Sequence, residues 1–391
     1  MDHPLPHRPH PTTAWQPAEG ARLALVLQGG GALGAYQAGV YEALHEADLE
    51  PDWVCGVSIG AINCAIIAGN TRDNRLERLR AFWERITATA NPLATLTALL
   101  PPWADGDEMR KARNAASANS TLTFGQPGFF KPNHPSPLFS ARGAANSTSF
   151  YDTAPLRDTL LDLVDFDLLN AGEMRFAVGA VNIGSGNFVY FDNSNRLITP
   201  KHVMASGALP PGLPMVRIGT DYFWDGGLVS NTPLQHLMEH VDRDVVVFQV
   251  DLFNAHGAIP RDIHDVMSRA KDIQYSSRTR LITDMFGQIH SLRSKIRDLL
   301  DRLPSDLLTA EDRQLQLKLA NLPRATILHM IYQQAAYEGQ SKDFEFSRAS
   351  MEEHWTAGLR DTRATLRRRE WLDLPDAESG VLVHDVHQAW Q

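Results

Sequence analysis

The stretch Trp53-Val54-Cys55-Gly56-Val57-Ser58-Ile59-Gly60-Ala61-Ile62-Asn63-Cys64-Ala65-Ile66-Ile67-Ala68 decides the reading of this chain. WVCGV is a short apolar run that suits a buried strand, and IGAINCAIIA is apolar on all sides, as a buried helix would be. Between them, Gly56-x-Ser58-x-Gly60 predicts a sharp strand-to-helix turn with the serine at its strained apex. Gly56 and Gly60 let the backbone reverse without side-chain collisions. Ser58 is thereby held above a sheet, at a helix N-terminus whose amides favour developing negative charge. It is the candidate nucleophile.

Working outward, Arg22 to Gln28 (RLALVLQ) is a second short aliphatic run, followed by Gly29-Gly30-Gly31-Ala32-Leu33-Gly34 and a helical spacing of Tyr36, Val40, Ala43 and Leu44. Two strand-turn-helix units in succession predict an α/β layered core with a mainly parallel sheet. Gly29, Gly31 and Gly34 satisfy the dinucleotide-binding pattern G-x-G-x-x-G. That reading wants an acidic residue at the end of the next strand, whereas Glu50 and Asp52 precede the strand and its far end delivers Ser58. The alternative is an oxyanion hole, in which the backbone amides of Gly29, Gly30 and Gly31 point at the oxygen of a tetrahedral intermediate. A plain glycine turn closing a tight connection is the third option.

A serine nucleophile needs a base. None of the fifteen histidines lies in a segment built around it. His202 opens a helix before MASGALPP, and His236 and His240 stand four apart in a helix after Pro233. Asp225, by contrast, ends the aromatic run Tyr222-Phe223-Trp224 and precedes Gly226 and Gly227, a strand ending in a turn where a carboxylate can approach another backbone closely. An ordinary Asp-Gly hairpin turn is the competing reading.

The rest of the chain is read for organisation. Residues 1–20 are rich in Pro and His and read as a disordered tail, with no apolar run for a signal peptide or membrane anchor. Residues 104–150, rich in Asn, Ser, Gly and Pro, read as a long loop insertion whose Phe129, Phe130 and Phe139 could form a lid. Asp152, Thr153 and Pro155 open a helix, RFAVGAVN and NFVYF form a hairpin through IGSG, and Asp244 to Val250 is a buried strand. The hydrolase domain spans 21–260, and 261–391 is a helical C-terminal extension lying beyond the catalytic apparatus. Within it, Ile282, Met285, Ile289, Leu292, Ile296, Leu299 and Leu303 form a strip along one helix. A second helical stretch from Leu315 to Ile331 returns antiparallel, giving a projecting hairpin over 273–339 available for homo-oligomer formation or for covering the site.

A formal charge of −9 lacks the basic excess of a nucleic-acid binder. Two cysteines, Cys55 and Cys64, exclude a disulfide framework. The expected location is cytoplasmic, with membranes touched from the surface if at all.

GGGALG, GVSIG and DGG, with the connecting MASGALPPGLPMV and YFWDGGLVSNTPL, together resemble the patatin-like phospholipases over roughly residues 22–251. The resemblance implies a three-layer α/β/α core and a Ser-Asp dyad, with Ser58 as nucleophile, Asp225 as base, Gly29, Gly30 and Gly31 as oxyanion hole, and no metal or organic cofactor. The implied activity is lipid acyl ester hydrolysis through an acyl-serine. A short-chain or polyester esterase with the same dyad, and a non-catalytic lipid- or protein-binding module, are the alternatives. The family usually carries Arg or Lys where this chain has Leu33, so no fixed positive charge beside that loop favours an anionic phospholipid. The segment DFEFSRASMEEHWTAGLRDTRATL resembles a domain of unknown function appended to some bacterial patatin-like proteins.

Overall fold

The computed structural model describes residues 20–88, 106–144, 146–320, 322–335 and 337–387; apart from Gly20, the expected N-terminal tail lies outside them. Strand β1 (Arg22–Leu27) leads through the glycine turn into α1 (Ala35–Glu46), and β2 (Trp53–Gly56) turns at Ser58 into α2 (Ile59–Ala68). After α3 (Arg72–Ile86) and α4 (Asp107–Phe124) come the two-residue strands β3 (Lys131–Pro132) and β4 (Tyr151–Asp152), then α5 (Ala154–Leu163) and α6 (Phe166–Ala171). The hairpin β5 (Arg175–Asn182) and β6 (Phe188–Asp192) precedes α7 (Pro200–Ser206), β7 (Val216–Ile218) and β8 (Asp221–Asp225). Next are α8 (Leu234–His240), β9 (Val245–Asp251), α9 (Ile263–Tyr275), α10 (Thr279–Arg302) and α11 (Ala310–Leu319). The chain closes with β10 (Ala325–Ile331), α12 (Arg348–Leu366) and β11 (Val381–Asp385).

One sheet runs β11-β10-β9-β1-β2-β5-β8-β7, with β6 on the other edge of β5. The six strands from β11 to β5 are parallel. Side chains alternate across the pleat. Leu23, Leu25 and Leu27 of β1 join the α1, α2 and α3 side of the core, whereas Ala24 and Val26 join Leu234 and Leu237 of α8, with Ile282 and Phe286 of α10 packed against them. Helices thus cover both faces, the expected α/β/α sandwich.

The C-terminal region is largely helical, yet it also supplies two strands of the central sheet. Ala325–Ile331, expected as the returning arm of a helical hairpin, is instead β10, paired on both sides. ATILHMI is a short continuous apolar run, and such a run fits a buried strand as well as a buried helix. The first arm, α10, packs its N-terminal part on the sheet through Ile282 and Phe286, while Met285, Leu292 and Leu299 of its strip are exposed. The 104–150 stretch also departs from the expected loop. Its first part is the 18-residue helix α4, which buries Ala118 and Thr121. The Asn and Ser content that suggested a loop is a weak preference, readily overridden by packing.

Helix α12 is tied to the N-terminal part of the core at close range. A Cβ on Gly39 of α1 would collide with the Trp355 carbonyl, and one on Gly358 of α12 with the Tyr36 carbonyl. The two helices therefore cross backbone to backbone, and Tyr36 donates to Asp361 at 3.1 Å across the crossing.

Candidate active site

Strand β5 sets the geometry. Its residues Arg175 to Val178 pair with β2, and Ala180 to Asn182 pair with antiparallel β8, so β2 and β8 run toward each other in one lane and end on either side of Gly179. Both leave the sheet there. One delivers Ser58 and the other Asp225.

At the first exit Ser58 has φ 55° and ψ −123°, a conformation costly for a non-glycine residue and sustained only where its surroundings over-determine it. A Cβ on Gly56 would collide with the Gly60 carbonyl, and one on Gly60 with the Leu27 carbonyl. The Ser58 amide donates to the carbonyl and to Oγ of Ser206, at 3.1 and 3.0 Å. Ser206 Oγ in turn donates to the Gly179 carbonyl at 2.6 Å. Ser206, at the end of α7, thus pins the apex to the strand junction. Nothing in the sequence of MASGALPP marks Ser206 for this role, because a serine at a helix end has many ordinary uses.

At the second exit Asp225 is 2% exposed. Its amide donates to the Ala208 carbonyl at 3.1 Å and its Oδ1 accepts the Gly227 amide at 2.7 Å. Burial pushes its carboxyl up to about 7, while hydrogen bonds from Ser58 and the Gly227 amide pull the other way. A Cβ on Gly226 would press on the Gly179 carbonyl and Val57, so the DGG turn requires its first glycine for close approach.

The glycine loop lies beside both. Gly29 donates to the Asn231 carbonyl at 3.2 Å, and Asn231 Nδ2 donates back to Gly29 O at 2.9 Å and to Tyr275 O at 3.1 Å. The amides of Gly30 and Gly31 have no backbone acceptor among the described residues. Gly31 has φ 55° and sits under the Asp343 carbonyl, so two independent reasons demand glycine there. Buried Gln28 fixes the loop's base, its Oε1 accepting from the amides of Leu252 and Phe253.

Ser58, Asp225 and the three glycines open into one cavity of about 440 Å³. Its walls are chiefly apolar: Ile62, Phe129, Phe130, Leu213, Phe344 and Phe346. Phe129 and Phe130 belong to the cavity wall, whereas Phe139, weighed with them as a lid, is exposed. Lys271, Tyr275, Asp343 and Phe344 also line it, so the C-terminal region, expected to lie beyond the apparatus, forms part of it. Leu33 is buried in the core; the cation at the cavity is Lys271, paired with Asp343 at 2.8 Å. Among the described residues the lining holds no histidine. His202 closes the capping box of α7, and burial lowers its pKa to about 4. His236 contacts Asp192 at 3.0 Å, and His240 meets the His236 carbonyl.

Residues 25–238 match the family model described as patatin-like phospholipase, and residues 273–378 match one described as patatin phospholipase. Patatin-like phospholipase domain-containing protein 6 of Homo sapiens and that of Mus musculus are each 39% identical over 79 residues, 20% of this chain and 6% of theirs. Among solved structures, VipD from Legionella pneumophila is similar over 94% of this chain and 72% of its own at 14% identity and a TM-score of 0.37. The type III effector ExoU is similar over 91% and 54% at 13% identity and 0.29. Such loose superpositions carry no argument beyond the likeness itself. The match over residues 25–238 takes in more than half of the chain and holds the serine elbow, the glycine loop and the DGG turn together: the chain belongs to the patatin-like phospholipase family.

Proposed function

We infer that this protein is a serine hydrolase of lipid acyl esters that works with a Ser58–Asp225 dyad. Asp225 accepts the Ser58 proton as Oγ bonds to the acyl carbonyl carbon. The resulting oxyanion takes the free amides of Gly30 and Gly31, together with the positive end of α2. The Gly29 amide is held by Asn231, which gives Gly29 a role in shaping the turn. Collapse of the intermediate breaks the ester C–O bond, and the leaving alcohol carries off the proton from Asp225. Water then attacks the acyl-serine, giving its proton to Asp225, and the fatty acid departs as Ser58 regains that proton.

The observation that carries this reading is the buried carboxyl of Asp225 beside a serine held on a left-handed turn. An aspartate in water is a base of pKa about 4; one pushed up to about 7 is matched to proton transfer near neutral pH. The apolar walls favour a lipid chain over a polar acyl group, and among the described residues of the lining the cation, Lys271, is paired with Asp343. The test is fatty acid release by purified protein across an acyl-chain series, with Ser58→Ala and Asp225→Asn beside it. Release that survives in either variant, or is absent from wild type on every ester, overturns the reading.

A further inference from the structure

Helix α9 is built inside out. Successive helical residues turn by about 100°, so Ile263, Val266, Met267, Ala270 and Ile273 fall within an arc of roughly 120°. That arc is turned outward: Val266 is 47% exposed, Met267 51%, Ile273 58% and Ile263 65%. The opposite side is polar and faces the protein. Asp272 is buried against Lys342 Nζ at 2.6 Å, and Lys271 reaches the Gln340 carbonyl and Asp343, both at 2.8 Å. An ordinary surface helix has the reverse arrangement.

The helix that carries the stripe also lines the cavity through its other side. Lys271 and Tyr275 of α9 line the cavity; Gly227, also in its wall, is followed by exposed Leu228 and Val229; and Leu122 is both lining and exposed. Three separate elements therefore pass from the cavity wall to outward apolar side chains. Charge says which apolar partner fits. Arg261, His264, Arg269 and Lys271 stand beside Asp262, Asp265 and Asp272, and the whole chain is −9, so this face has no cationic field for an anionic surface. Among the described residues no helix is long and apolar enough to cross a membrane, so α9 would lie in the plane of an interface.

We propose that the outward face of α9, with Leu228, Val229 and Leu122, is a docking surface that seats the cavity mouth on a zwitterionic lipid bilayer. This rests on the lipid-ester reading of the site, since the substrate would enter from the bilayer directly beneath the mouth. Apolar insertion drives the contact, so adding anionic lipid leaves it nearly unchanged.

The test is flotation of the full-length protein with phosphatidylcholine vesicles, comparing wild type with Val266→Glu/Met267→Glu. Hydrolysis of vesicle phospholipid and of soluble p-nitrophenyl butyrate is followed in parallel. The double variant should bind vesicles at least about tenfold more weakly and lose vesicle hydrolysis in proportion, while butyrate cleavage stays within about twofold of wild type. Ser58→Ala should float like wild type. The proposal is overturned if wild type fails to float or floats only with anionic lipid, or if the double variant floats unchanged. It is equally overturned if the substitutions convert a wild-type dimer to a monomer, which would make a second copy the partner. If Ser58-dependent hydrolysis fails on every ester, the functional reading falls while flotation still decides the docking surface.

Discussion

The sheet has two halves that do different work. On one side β2, β5 and β8 meet at Gly179, and each exit from the sheet there is a turn that presents a candidate catalytic residue, Ser58 from one strand and Asp225 from the other. On the other side β10 and β11 carry none of the candidate catalytic residues. They extend the sheet beyond β9, while α12 crosses α1 and the turn at Lys342–Phe344 sets the Asp343 carbonyl on Gly31. The first half holds the proposed reacting groups, and the second packs against the glycine loop proposed to receive the charge. Two family models match the chain separately, at residues 25–238 and 273–378, yet strands from both share one sheet.

The largest expected effects lie in the first half. Ser58→Ala and Asp225→Asn should each lower ester turnover by roughly 10⁴-fold or more, because each removes one member of a jointly acting pair. Their folds should be intact by circular dichroism. A histidine variant with an equal loss would break the account of this half.

The second half is tested next. Gly358→Val forces a side chain into the Tyr36 backbone, and overpacking at a helix crossing should cost about 3 kcal/mol or more, read by urea unfolding. Were 261–391 a separate appendage, the hydrolase core of this variant would unfold unchanged.

Asp225→Asn sharpens the comparison through pH. In the folded protein burial raises its carboxyl to about 7 from the ordinary 3.8, so the buried group is best tolerated protonated. Wild-type stability from this group is full below about pH 4 and is lost as pH rises toward 7. A shift of that size is on the order of 4 kcal/mol at 1.36 kcal/mol per unit. Asparagine carries no such charge and can still accept from Gly227. The variant should therefore melt higher than wild type at pH 8, with the gap closing toward pH 4. Equal melting at both pH values would place the Asp225 pKa near its ordinary range.

The smallest effect is expected at Ser206→Ala. Loss of its two hydrogen bonds should cost about 1–3 kcal/mol of stability and lower kcat with little change in KM, since it positions the apex without lining the cavity. A KM-only effect would contradict that role.

The two halves were not equally legible. At Ser58 and Asp225 the backbone turns so tightly that glycines appear at fixed offsets, and the turn can be read residue by residue. Strand β10 has no such turn, and its apolar run followed a helical repeat, so periodicity alone could not tell strand from helix. Helix α4 was hidden by Asn and Ser, whose propensities are weak beside packing. The parts of the cavity supplied by Tyr275, Asp343, Phe344 and Phe346 come from far along the chain, and the segment beginning DFEF resembles an appended domain without any sign that it reaches the cavity. Ser206 acts through a hydrogen bond that only the meeting of three segments creates.

The most direct test of the central claim, that buried Asp225 activates Ser58, is the pH dependence of fluorophosphonate labelling followed by intact mass. The expected result is a single adduct on Ser58 in wild type, with a labelling rate that rises through an apparent pKa near 7, matching the raised Asp225 carboxyl. Ser58→Ala should take no adduct, and Asp225→Asn should label slowly with no inflection near 7. Labelling at another serine, or an inflection near 7 that survives Asp225→Asn, would contradict the account.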